Sequence, residues 1–236
     1  MPEWLIIILV AWLAGLAAFV GAVGAQLEGS AETRGKQEFV HGVVAFGGGI
    51  LVAAVAFALA PEGVERLSPF TLALTFCGGG LAFCFLDAAI TRVAGSKSNL
   101  MAMLLDFVPE AIALGAVFGQ SKQAGLLLAL FIGAQNLPEG FNAHRENTDS
   151  GTSPRHFLVA LALISLLGPL AALAGHLWLA DRMVLTAGIM SFAAGGILYL
   201  VFQDIAPQAT MRRHWKPPLG AVLGFALGML GHQWLA

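Results

Sequence analysis

The sequence predicts an all-α, polytopic membrane protein, an inverted-repeat bundle of eight transmembrane helices, and three observations carry its membrane character. Of the 236 residues, 58% are apolar before the 29 glycines are counted, where soluble proteins reach about 45–50% with glycine included. Charged residues make up 11% of the chain, against about 25% in soluble domains, and the mean hydropathy of +0.80 leaves little sequence for a water-facing surface. Apolar runs of spanning length follow one another with only short polar breaks, so the bundle occupies 1–236 as a single domain.

A spanning helix needs about 20 mostly apolar residues, and such runs cover 4–26, 39–60, 69–91, 99–118, 124–143, 157–179, 184–205 and 217–235. The first follows Met1-Pro2-Glu3-Trp4, with no basic stretch ahead of it, and is expected to be a retained span. The small residues Gly21 to Ala25 keep a cleaved signal peptide open as the other reading. The second carries Ala45-Phe46-Gly47-Gly48-Gly49-Ile50-Leu51 and ends at Ala60-Pro61-Glu62. The seventh echoes it with Phe192-Ala193-Ala194-Gly195-Gly196-Ile197-Leu198 and Ala206-Pro207-Gln208. In the third, Cys77 and Cys84 lie about 10 Å apart along a helix, too far for a disulfide, and read as packing residues. The fourth and fifth hold the acids discussed below, and the sixth is an uninterrupted apolar run. The eighth places Gly220, Gly224 and Gly228 on one face, where helix backbones can approach closely.

Cytoplasmic loops retain Lys and Arg. The odd-numbered connections carry Arg34, Lys36, Arg92, Lys97, Arg145, Arg155, Arg212, Arg213 and Lys216, nine of the 12 basic residues, while the even ones carry Arg66, Lys122 and Arg182. Both termini are therefore expected outside the cytoplasm. On that topology the second and seventh spans run in opposite directions, so their echo is an inverted one, as in many secondary transporters.

The chemistry is concentrated in Asp106-Phe107-Val108-Pro109-Glu110 of the fourth span and Gln135-Asn136-Leu137-Pro138-Glu139 of the fifth. Residues four apart share a helix face, which sets Asp106 beside Glu110 and Gln135 beside Glu139. A hairpin turning near Ser121 brings Asp106 opposite Asn136, with Gln135 one residue away. Oxygen donors from both helices then converge near mid-membrane. An acid at a helix centre costs about 2.5–3.5 kcal/mol, so the three carboxylates cost up to about 10 kcal/mol together. A divalent cation offsets that cost, because carboxylate and amide oxygens are its hard ligands. Pro109 and Pro138 add to the donors by freeing the carbonyls of Leu105 and Ala134. The other reading of these acids is structural: protonated or hydrogen-bonded groups that hold the bundle together.

The paired motifs resemble the Zrt/Irt-like (ZIP) metal transporters, whose fourth and fifth spans read His-Asn-x-Pro-Glu-Gly and a variant of Gln/His-Asn/Asp/Glu-x-Pro-Glu/His-Gly/Glu. The resemblance extends to eight spans, outside termini and Gly-rich second and seventh spans. It implies a metal site from Asp106, Glu110, Gln135 and Glu139. It also implies an impaired neighbouring site, since Phe107 stands at an asparagine position, Asn136 at an acidic one, and Gly168 before Pro169-Leu170 where a glutamate is usual. Similar acids in relatives make Asp87 and Asp204 a candidate exit path. His41, near the cytoplasmic face, and Glu62, outside, are further pathway candidates, though each taken singly also reads as a solvated helix end. The implied cargo is a divalent ion (zinc, iron, manganese or cadmium), and Asp106 in place of histidine makes the site all oxygen and suits harder cations. The resemblance also implies movement toward the cytoplasm by alternating access, a unit containing the fourth and fifth spans moving against the rest.

The net charge of −2 and the lack of a basic run exclude nucleic acid as a partner. The partners expected are the metal ion, the bilayer of a cell (inner or plasma) membrane and a second copy in a homodimer. No resident cofactor is expected. No Gly-x-x-x-x-Gly-Lys-Ser/Thr motif offers nucleotide binding, and no His-Glu-x-x-His or Gly-x-Ser-x-Gly motif supports an intramembrane hydrolase, so the chain is not read as an enzyme. A metal-binding or sensor protein that has kept the fold and lost transport is the alternative left by Asp106, Phe107 and Gly168.

Overall fold

The computed structural model of the chain describes residues 1–28, 33–93, 98–149, 153–212 and 214–235, the side chains at 90–93, 98–102, 104–106, 149 and 235 excepted. The described residues are helical apart from short connections and one isolated bridge between Met211 and His214. α1 covers Glu3–Glu28. α2 (Arg34–Ala54) continues through a π-helical turn at Val55–Leu59 into α3 (Ala60–Arg66), and α4 covers Pro69–Val93. α5 (Ser98–Phe118) and α6 (Lys122–Asp149) form a hairpin, and α7 (Pro154–Ser165) and α8 (Leu167–Leu179) are joined at Leu166. α9 (Met183–Leu200) passes through a second π-helical turn at Val201–Ile205 into α10 (Ala206–Gln208), and α11 covers Leu219–Leu235.

Polar residues set these boundaries. Ser121 opens α6 by accepting a hydrogen bond from the Ala124 N–H at 3.2 Å. Ser68 does the same for α4 through the Thr71 N–H, as Thr33 does for α2 through Lys36. The break after Ser165 follows from Pro169, which has no N–H to offer the Ser165 carbonyl. Both π turns precede an Ala-Pro pair, and in both the alanine N–H reaches back five residues, Ala60 to Val55 and Ala206 to Val201. Pro61 and Pro207 cannot donate, and their rings crowd the preceding turn, so the helix widens there. The sequence echo between the second and seventh spans is thus also an echo in backbone geometry.

Five helices, Glu3–Glu28, Arg34–Arg66, Pro69–Ala89, Pro154–Leu179 and Met183–Gln208, are long and apolar enough to cross a membrane. The chain is an all-helical, multi-pass membrane protein. Five of the eight expected spans meet that measure. Among the others, α6 carries Gln135, Asn136, Glu139, Asn142 and Glu146 in its second half, and α11 has only 17 residues. The apolar part of α5 within the described residues is confined to Phe107–Phe118.

Glycines bring the helices together in reciprocal pairs. A Cβ on Gly21 of α1 would run into the Leu137 carbonyl of α6, and one on Gly140 of α6 into the Ala18 carbonyl of α1. Gly115 and Gly175 lock α5 to α8 in the same way, Gly49 and Gly224 lock α2 to α11, and Gly79 and Gly195 lock α4 to α9. With little hydrophobic drive between helices in lipid, such close backbone contact supplies the packing energy. Helices α1, α5, α6 and α8 pack on one another, α2 pairs with α11 and α4 with α9, and α2 packs on α6 as well. α2 meets α6 where Gly47 faces the Pro138 ring, a Cβ there lying 2.8 Å from Cγ.

A Gly115→Val substitution, which sets a side chain against the Ala172 carbonyl, is expected to cost about 1–3 kcal/mol. Gly78→Val, where an added Cβ meets nothing within 4 Å, is expected to leave stability unchanged. Thermal melting of the two proteins in detergent makes the comparison.

Candidate metal site

The α5–α6 hairpin turns tightly at Val117–Ser121, where the N–H groups of Gln120 and Ser121 both reach the Val117 carbonyl. This sets the two helices antiparallel and brings Glu110 to Gln135. By register Glu110 sits about a turn nearer the hairpin than Gln135, and the two long side chains close that gap. The Gln135 Nε2 donates to both carboxylate oxygens of Glu110, at 2.7 Å to Oε1 and 2.8 Å to Oε2. Both residues are buried, at 3% and 1% exposure. At the other end of the amide, Gln135 Oε1 is buried with no hydrogen-bond partner. Such a group costs about 1–3 kcal/mol when left unsatisfied, and an amide oxygen is a ligand for a hard cation.

Glu139 lies half-buried one turn along the same face of α6. Asn136, placed by the sequence among the converging donors, ties α6 to a third helix: its Nδ2 donates to the Ala14 carbonyl of α1 at 2.9 Å. Position 136 is a 100° step round α6 from 135, on the face that Gly140 opens to α1. The Asp106 side chain lies outside the described residues. Among those described, no three His, Cys, Asp or Glu side chains gather closely enough to hold a metal. The described part of the site is therefore two carboxylates and the amide between the helices.

Phe107, beside Glu110 in sequence, is 4% exposed and fills the space between α1 and α8. A Cβ on Gly15 or on Gly168 would come within 2.5 Å of its Cζ. The ring thus stands where any side chain at position 168 would have to go, and the Phe at 107 and the Gly at 168 fit each other by volume.

The pathway candidates fall at the two ends of the bundle. Glu62 is held by Arg66 Nε at 2.6 Å. It lines a cavity of ≈ 180 Å³ with Glu65, Gln123 and His232, beside the α5–α6 turn. At the opposite end the Tyr199 hydroxyl donates to Asp87 Oδ2 at 3.2 Å, and His41 Nδ1 meets the Gln208 carbonyl at 2.5 Å. Asp204 is half-buried on the second π turn. The sequence reading passed over Asn142, whose Nδ2 donates both to Glu146 Oε1 and to Gln208 Oε1, each at 2.9 Å. Its signal was present: Gln135, Glu139, Asn142 and Glu146 recur at helical spacing and form one polar stripe along α6.

Removing the ring in a Phe107→Ala variant is expected to cost about 3–5 kcal/mol by opening a cavity between α1 and α8, read as a lower melting temperature than that of the parent protein.

Two comparisons bear on this arrangement. The family described as ZIP Zinc transporter matches residues 95–233, which takes in the α5–α6 hairpin and everything to α11. The Zinc transporter GufA of Myxococcus xanthus is 32% identical over 149 residues, covering 57% of this chain and 59% of that protein. The match thus spans less than two thirds of that relative's own length. With more than half of the chain matched, and the matched part containing the doubled Pro-Glu hairpin, the protein belongs to the ZIP family.

Proposed function

We propose that the chain is a carrier that moves a divalent metal cation across the cell membrane toward the cytoplasm, by alternating access through one mid-membrane site. The observation that carries this reading is the buried Glu110–Gln135 pair with its unpartnered amide oxygen, joined by Glu139 on the next turn. Burying a carboxylate in a bundle with so few polar residues is costly, and a cation that enters and leaves makes the cost useful. Asp106 completes an all-oxygen ligand set in this reading. Zinc is the metal in the names of the matching family and of the Myxococcus protein. The donors here suit manganese and other hard cations at least as well, with iron and cadmium also candidates.

The proposal keeps one ion per site, because the Phe107 ring fills the room beside Gly168. It takes eight spans with both termini outside, from the basic residues of the odd-numbered connections. The entry side is then the cavity with Glu62, and the exit side the polar stripe leading past Asn142 and Glu146 toward His41, Asp87 and Asp204. In this reading a unit containing the α5–α6 hairpin moves against the remaining helices, and the Gly47–Pro138 contact joins α2 to that hairpin. The matched π turns after α2 and α9 support an inverted repeat. No step requires covalent chemistry. A second reading, a metal-binding or sensor protein without flux, is favoured by the same Phe107 ring, since a filled neighbouring site is a departure from the family pattern.

Purified protein in liposomes separates the two readings, since a carrier accumulates metal and a sensor binds without flux. Glu110→Ala and Glu139→Ala are each expected to lower uptake by at least about 10–100-fold, the loss that outer-shell changes alone produce at metal sites. Unchanged uptake in both would remove the assigned site. Asp106→His, which supplies an imidazole, is expected to shift competition between manganese and zinc toward zinc. An unaltered preference would take Asp106 out of the ligand set.

A further inference from the structure

The Gln135 amide does more than supply an oxygen. Its Nε2 lies almost equidistant from the two oxygens of Glu110, at 2.7 and 2.8 Å, as a cation chelated by that carboxylate would lie. The pair is almost wholly shielded from solvent, so water does not compete for these bonds. The oxygen of the same amide has no partner. Amide N and O are assigned by their surroundings, and here the reverse orientation would set a carbonyl oxygen against two carboxylate oxygens. The N–H groups and a metal ion therefore compete for the same lone pairs.

We propose that Gln135 is an exchangeable counter-group for Glu110: its amide N–H groups hold the carboxylate when no cation does, and loading the ion turns the amide so that Oε1 joins the coordination. The proposal rests on Glu110 being a cargo ligand and adds how that ligand is kept and released. The turn needed is about the terminal torsion of the side chain, which is broad and roughly two-fold, so it needs no backbone movement. It reverses the amide dipole, from donors facing the carboxylate to an acceptor facing the cation. The same exchange discriminates by charge. A monovalent ion displaces the same two hydrogen bonds as a divalent one and gains half the attraction to the carboxylate at equal distance.

The test compares melting of the full-length protein in detergent, stripped of metal with EDTA, for the parent, Gln135→Glu and the swapped double variant Glu110→Gln/Gln135→Glu. The single variant replaces a donor by a second carboxylate and is expected to melt about 5 °C or more below the parent without metal, with excess manganese closing the gap. The swap restores an amide donor facing a carboxylate with the roles exchanged, and is expected to recover most of the metal-free loss. A single variant that melts within about 1 °C of the parent, a gap that manganese leaves open, or a swap no better than the single change would overturn the proposal. The parent protein gives a check that needs no variant to fold. With glutamine side-chain amides labelled with nitrogen-15, the Gln135 NH2 resonance is expected to move on adding cadmium, and a resonance unmoved at saturation overturns the exchange. These readouts do not use flux. Absence of uptake by the parent protein in liposomes would remove the carrier reading, while melting and resonance decide the exchange separately.

Discussion

The burial of the Glu110 carboxylate is the constraint to which the surrounding structure answers. At 3% exposure it has exchanged water for protein groups, and a charge so placed is tolerated only where donors or cations compensate it. Gln135 does so from the neighbouring helix. That bond exists only if α5 and α6 are antiparallel, closely spaced and in one register, which the tight turn at Val117–Ser121 and the Ser121 cap impose. The site and the hairpin are thus one structural decision. A longer loop would leave the register free, and the acid without its partner.

The glycine pairs answer the same constraint at longer range. A helix carrying Gln135, Asn136, Glu139, Asn142 and Glu146 is a poor membrane span by composition, so it must be surrounded by other helices rather than lipid. α1 supplies that cover by coming close enough for Gly21 and Gly140 to meet backbone carbonyls, and its Ala14 carbonyl takes the Asn136 amide. α2 covers another side through Gly47 against the Pro138 ring. Small residues in these helices therefore serve the polar ones: each side chain omitted at an interface lets a neighbouring backbone screen α6.

The all-helical membrane architecture was legible because composition and run length are global properties, whereas counting along the hairpin set Gln135 beside Asp106 and left Glu110 a turn away, a gap that the reach of two long side chains closes. Asn136 shows where counting stops: two helices give depth, and only the third, α1, decides which way position 136 turns. The break at Leu166 was written in Pro169, yet an uninterrupted apolar run concealed it. The π turns were foreshadowed by two Ala-Pro pairs, but widening one turn is a local response to a missing N–H that leaves no periodic trace. Asn142 was missed for a different reason. A polar stripe has to be read along the helix, whereas the paired Pro-Glu motif drew attention to one level of it.

The two ends of the hairpin differ in a way that bears on how an ion would reach Glu110 in the proposed carrier. Toward the α5–α6 turn, the cavity beside Glu62 and Glu65 is also lined by Val117, Leu128 and Met190, which are 4%, 2% and 1% exposed and belong to the main apolar core. No carboxylate or amide of α5 lies between Val117 and Glu110 to carry a cation across that layer. Away from the turn, by contrast, α6 offers Glu139, Asn142 and Glu146 at successive turns of one face. In the proposed carrier an ion on the polar side would exchange ligands step by step, each new oxygen replacing the last before its shell is lost. On the apolar side it would have to wait for Val117, Leu128 and Met190 to part. In the proposed carrier, passage through the two halves would therefore be limited by different physics: ligand exchange in one, and separation of packed helices in the other.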